Sequence, residues 1–233
     1  MAKKKSTSYM TAGEQIAGVV CFVLYLLVLP FAAGPFFRIA GGLLGITLSA
    51  ATRSILYYGV LCAVLVVIFH KFLGRTTRHL LENPVGACKA LGLGLVALYG
   101  LNELAYRFMH LGISAGTNLN DIPISAQIEA VPRMTTLIIV LLAPFVEEAL
   151  FRGLVFGNLK HKSRLLAYLV SCLLFALLHV WQFAAVHQNA VYFLVLLQYL
   201  IPGAVLAWAY ERSGTLWSAM ALHAAANALA IWV

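Results

Sequence analysis

Charge is scarce in this 233-residue chain: only 10% of its residues are Asp, Glu, Lys or Arg, against about 25% in an ordinary soluble domain. So little charge cannot cover a water-facing surface, which excludes a soluble globular protein, a disordered chain and a nucleic-acid-binding domain. Aspartate is scarcer still, with Asp121 the single example, so chemistry built on a pair of aspartates is excluded. Cysteine is limited to Cys21, Cys62, Cys88 and Cys172, none in a C-x-x-C pair and each in or beside an apolar run. They read as small packing residues and imply neither a disulfide framework nor a zinc cluster. Internal repeats and low-complexity tracts are missing as well.

What the chain does have is apolar sequence: 62% of its residues are hydrophobic. Seven runs have about the length that a spanning helix needs: Ile16–Ala33, Ser54–Leu73, Ala87–Tyr106, Met134–Leu154, Leu165–Trp181, Ala190–Tyr210 and Leu216–Val233. Their residues do not alternate as membrane-barrel strands do, and lipid leaves no partner for unpaired backbone groups, so each is expected to be a helix. The fold class expected is all-α, a polytopic membrane bundle of about seven helices.

The net charge is +8. With the N-terminus inside, Lys3, Lys4, Lys5, Lys71, Arg75, Arg78, Lys89, Lys160, Lys162, Arg164 and Arg212 fall on the inner side, and Arg38, Arg53, Arg107 and Arg133 on the outer. That imbalance predicts an N-in, C-out topology, and the positive charge needs no nucleic-acid partner to explain it. The basic start resembles the head of a signal peptide. The apolar run that follows is too long, however, and Pro30, Phe31 and Pro35 do not make a cleavage site, so a retained anchor is expected. Two connections are long. Gly34–Arg53 carries Gly41, Gly42 and Gly45 and reads as an interfacial or re-entrant piece. Gly112–Arg133, with Asn118, Asn120, Asp121, Pro123 and Pro132, reads as a polar outer loop.

Ionisable side chains inside spans are costly and mark function by default. Glu103 and Arg107, four apart near the outer end of the third span, read as an interfacial ion pair. The fourth span is different. Glu147 and Glu148 sit side by side in an apolar helix, about 20 Å from the basic residues at either end. Pro144 removes a backbone hydrogen bond just before them. Neighbouring side chains on a helix point about 100° apart, so the two carboxylates cannot share one spot. Glu148 and Arg152 are four apart and fit an ion pair, which leaves Glu147 for chemistry. The fifth span brings His179, and the seventh brings His223 and Asn227, four apart and separated by alanines. Their depths agree within one or two helical turns. The other histidines, His70, His79, His110, His161 and His187, lie at span ends or in loops.

Carboxylate, imidazole and carboxamide together suit hydrolysis by an activated water, with a base taking the proton and donors holding an oxyanion. The same groups offer an alternative, a divalent metal such as zinc held by Glu147, His179 and His223.

At these residues the sequence resembles a known family. Glu147-Glu148-x-x-x-Arg152, Phe175-x-x-x-His179 and His223-x-x-x-Asn227 look like the three motifs, in order, of the CPBP intramembrane proteases, which comprise CAAX prenyl endopeptidases and bacteriocin-processing enzymes and are also called the ABI family. The resemblance spans about 100 of the 233 residues, from Met134 to the end. Hydropathy and the basic residues make residues 1–15 a cytoplasmic N-terminal segment and 16–133 N-terminal transmembrane helices with the outer loop; the resemblance implies 134–233 as a catalytic four-helix membrane core. It implies peptide-bond hydrolysis in or near the bilayer, with Glu147 activating the water, His179 assisting, His223 and Asn227 holding the oxyanion, and Glu148 with Arg152 in support. The substrate implied is a peptide or protein, lipidated or membrane-associated; the lack of a soluble domain, an organelle signal or a glycosylation-dense loop fits a prokaryotic cytoplasmic membrane. No cofactor is favoured, because H-E-x-x-H is absent. Presenilin-type, site-2-type and rhomboid chemistry lack their aspartate pair, metal motif and buried serine respectively. Two other readings compete: a non-catalytic membrane scaffold that keeps the polar network for structure, and a transporter built on the intramembrane carboxylates.

Overall fold

The computed structural model describes residues 10–110, 131–187 and 196–232. Among them all regular structure is helical: α1 Ala12–Leu44, α2 Ala50–Ile68, α3 His70–Glu82, α4 Pro84–His110, α5 Pro132–Leu159, α6 Arg164–His187, α7 Leu196–Ser213 and α8 Leu216–Trp232. Lys3–Lys5 and most of the expected outer loop, Asp121 included, lie outside the described residues. Among the described residues, five helices are long and apolar enough to cross a membrane: α1, α2, α4 to Leu104, α5 and α6 to Trp181. The two remaining expected spans fall on α7 and on the shorter apolar helix α8. Val67, Val96 and Leu165 are 71%, 73% and 69% exposed, which no water-facing surface would sustain in such numbers; these faces meet lipid. The protein is an integral membrane protein.

The piece expected at Gly34–Arg53 is mostly the continuation of α1, which runs on through Gly34 and Pro35 to Leu44 and stops where Gly45 takes φ 66°. A single glycine able to adopt the left-handed conformation ends the helix, and the two upstream glycines do not.

Glu14 and α3 tie the N-terminal helices to the rest. Glu14 is buried, and its Oε2 accepts the Thr11 backbone N–H at 2.8 Å in a reciprocal cap of α1. Its Oε1 accepts the Phe72 N–H at 2.7 Å, one of the N-terminal donors of α3 that no helical carbonyl can reach. Further along α3, the Thr76 hydroxyl accepts the Leu216 N–H at 2.7 Å, and the Thr215 hydroxyl donates to the Thr76 carbonyl at 2.9 Å. One amphipathic helix thus caps α8 and is itself capped from α1, which fixes where α8 enters the bundle.

The core is built around α5. Val146, Ala149, Leu150, Phe151, Leu154 and Phe156 are all at most 3% exposed, with α1, α2, α6, α7 and α8 packed around them. Gly153 permits a close approach: a Cβ there would sit 2.9 Å from the Phe72 ring of α3. Three stretches are wound as wider π-helical turns: Leu24–Val28 in α1, and Ile138–Leu142 and Ala149–Phe156 in α5. The first two are each followed by a residue and then a proline, Pro30 and Pro144, so each wide turn stands just where the backbone runs out of a donor.

Candidate active site

The two turns of α5 on either side of Pro144 set the site. Glu147 and Glu148 close the short α-helical stretch Ala143–Glu148, and Arg152 lies in the π-helical stretch after it. The two carboxylates diverge as the helix requires. Glu148 is fully buried, with Oε1 shared between Arg152 Nη1 at 3.0 Å and His223 Nδ1 at 2.9 Å. Arg152, equally buried, donates through Nη2 to the Gly203 carbonyl of α7 at 3.0 Å, and its guanidinium carbon stands 4.3 Å from the centroid of the Phe175 ring. The pair expected from spacing therefore exists, and it reaches further than expected, joining α5, α7 and α8.

Glu147 turns the other way. Its Oε2 is buried and has no hydrogen-bond partner among the described residues. Nε2 of His179 and Nε2 of His223 each stand 3.9 Å from it, too far for a direct hydrogen bond. The tautomers follow from the far side of each ring. His179 Nδ1 lies 2.9 Å from the Phe175 carbonyl, which can only accept, so Nδ1 carries the proton. His223 Nδ1 donates to the Glu148 carboxylate by the same reasoning. In a neutral ring the other nitrogen, the one aimed at Glu147, then carries a lone pair. Phe175 packs against both rings, with centroids 4.7 Å and 5.8 Å away, and Tyr199 stacks on His179 at 4.5 Å.

The structure thus brings five of the six expected residues into one network: Glu147, Glu148, Arg152, His179 and His223. Asn227 lies one turn beyond His223 on α8, but its Nδ2 donates to the Ile139 carbonyl at 2.9 Å, so its recorded bond is to the backbone of α5. Glu103 and Arg107 form the expected ion pair, 2.7 Å apart and exposed, away from the cluster.

Three tyrosines that the sequence reading did not single out lie in the surroundings of the site. Tyr25, Tyr57 and Tyr58, from α1 and α2, all lie within electrostatic reach of Glu147. Tyr25 is buried on the first wide turn, and the Tyr57 and Tyr58 rings meet edge to face at 5.0 Å. Cys62, one turn after Tyr58, contacts the Leu142 carbonyl of α5 at 3.6 Å.

Glu147 Oε2 and the two Nε2 atoms are the donors a divalent metal would use. A tetrahedral site with bonds of about 2.0–2.1 Å has edges of about 3.3 Å, shorter than the 3.9 Å from the oxygen to either nitrogen. Among the described residues no three His, Cys, Asp or Glu side chains are grouped so as to hold a metal ion. The site fits a metal poorly.

No curated protein and no solved structure matches the chain. A family model does: residues 130–229 match the type II CAAX prenyl endopeptidase Rce1-like family. That segment, somewhat under half of the chain, contains all six expected side chains and the whole of the buried network, and it is similar to the Rce1-like domains of the CPBP protease family.

Proposed function

We propose that the protein is an intramembrane endopeptidase in which Glu147 activates the hydrolytic water. One observation carries the reading: a buried carboxylate oxygen without a partner, faced by two imidazole nitrogens at 3.9 Å whose rings are pinned from behind. A gap of that length between polar atoms is one that a single bridging water spans. Glu147 takes the proton as the water oxygen bonds to the substrate carbonyl carbon, and His179 holds the water in line. The carbonyl oxygen becomes an oxyanion beside His223, whose ring the Glu148 carboxylate orients from Nδ1. An amide nitrogen bears two N–H bonds, and Asn227 spends one on Ile139; the other supplies an oxyanion donor. The proton held by Glu147 then passes to the leaving nitrogen, the carbon–nitrogen bond breaks, and a carboxylic acid and an amine leave. No metal takes part.

The substrate is a peptide or protein at the membrane, and the family assignment favours one with a lipid-bearing cysteine. The N-in, C-out topology and a prokaryotic cytoplasmic membrane complete the reading. Comparing the peptides in membranes that contain the wild type with those containing Glu147→Gln tests it. A new terminus found only with the wild type supports proteolysis and names the substrate; identical peptides in both contradict it.

A further inference from the structure

The Ile139 carbonyl has lost both of its helical donors. In an α-helix it would accept from the Ala143 N–H, but in this wide turn that N–H bonds to Ile138. The next donor, five residues on, is residue 144, a proline with no N–H. A carbonyl stranded in this way inside an apolar bundle is costly unless something donates to it. What donates is Asn227 Nδ2, 2.9 Å away on α8.

We propose that Asn227 is a positioning residue: its amide replaces the donor that Pro144 removes, and in doing so sets the register of α8 against α5 that places His223 opposite Glu147. The inference rests on reading Glu147 and His223 as the working pair. The residues of α8 next to these two are mostly alanine, Ala224, Ala225, Ala226 and Ala228. Small side chains let helices approach closely but give few ridges to interlock, so packing alone fixes register weakly. Two directional bonds fix it instead, His223 to Glu148 and Asn227 to Ile139, one turn apart on α8. One bond leaves a helix free to pivot; two stop both sliding and rotation. A slip of a single residue, about 1.5 Å, breaks both. The positioning role is separate from donation to an oxyanion, because the amide has a second N–H for that.

A double-mutant cycle tests the proposal on the full chain in detergent. Asn227→Ala is measured in the wild-type and in the Pro144→Ala background, the latter restoring a backbone N–H at position 144. Asn227→Ala alone should lower the folding equilibrium constant about fivefold, the usual effect of one hydrogen bond. With the N–H restored, the loss should shrink to less than about twofold. The imidazole 15N resonance of His223 should shift in Asn227→Ala and return in the double variant; a bond that merely adds stability would leave it in place. Equal losses in both backgrounds, or an unmoved His223 resonance, would overturn the proposal. If Asn227→Ala is not recovered folded, Asn227→Asp, equal in size but unable to donate when ionised, takes its place in the cycle. Neither readout involves proteolysis, so this inference and the enzyme reading fail separately.

Discussion

Glu148 and His223 meet across two helices, carboxylate Oε1 to imidazole Nδ1 at 2.9 Å, with the carboxylate wholly out of solvent. The same oxygen takes Arg152, so one atom holds a cation on its own helix and a ring on another. This is the arrangement of a carboxylate that orients a working histidine. In the proposed reading Glu148 is the support and Glu147 the working group; each carboxylate keeps a buried Oε2 without a hydrogen-bond partner among the described residues, and only that of Glu147 is faced by two imidazole nitrogens.

Removing Arg152 should therefore destabilise the fold. Arg152→Leu strands a buried carboxylate and also frees the Gly203 carbonyl, which on the usual scale for breaking a buried pair costs about 3–5 kcal/mol. Arg152→Lys should recover little of this, because a single ammonium cannot make both guanidinium contacts. Chemical denaturation of the purified variants measures both effects.

Glu147→Gln should behave in the opposite way. Glu147 Oε2 makes no hydrogen bond that the substitution would break, and the substitution removes a charge from a site only 8% exposed. Its unfolding midpoint should equal or exceed the wild-type value in a thermal melt. A large drop would show that the carboxylate is structural.

Treatment with EDTA or 1,10-phenanthroline, followed by assay without added metal, should leave cleavage of a membrane peptide intact. The donors around Glu147 stand 3.9 Å apart, wider than the edge of about 3.3 Å of a tetrahedral site. Loss of activity that zinc restores would reverse this reading.

Glu211, beyond the apolar stretch of α7, accepts from Arg164 Nη2 at 2.8 Å and from the Tyr168 hydroxyl at 2.7 Å. Partial burial pushes its carboxyl up, but these hydrogen bonds and the charges of Arg164 and Lys160 outweigh that and hold it below the usual range. A carboxylate lowered on folding adds stability that is fully present above its unfolded value and is lost as pH falls through the folded one. Wild type should thus lose more stability than Glu211→Gln on going from neutral pH to below the ordinary carboxylate range. Parallel pH–stability curves would contradict this.

The six candidate residues stood out in the sequence because an ionisable group in an apolar run is an anomaly, and because Glu148 and Arg152, like His223 and Asn227, stand one helical turn apart. The partner of Asn227 was not legible. The Ile139 carbonyl becomes available only through a wide turn combined with Pro144, and sequence shows the proline alone. Tyr25, Tyr57 and Tyr58 were hidden for another reason: an aromatic in a span looks the same whether it faces lipid or Glu147. The run of α1 through Gly34 and Pro35 was misread as a break, since proline in a membrane helix is tolerated where surrounding groups satisfy the backbone. Thr76 and Thr215, 139 residues apart, carry no periodic signal that could have joined them.

The most direct test of the central claim is the turnover of a fluorogenic peptide bearing a farnesylated cysteine by purified wild-type and Glu147→Gln protein in liposomes, at equal folded concentration. Loss of the water-activating base should lower kcat by about 10²–10⁴ while the protein stays folded. Turnover by Glu147→Gln at the wild-type rate would contradict the account.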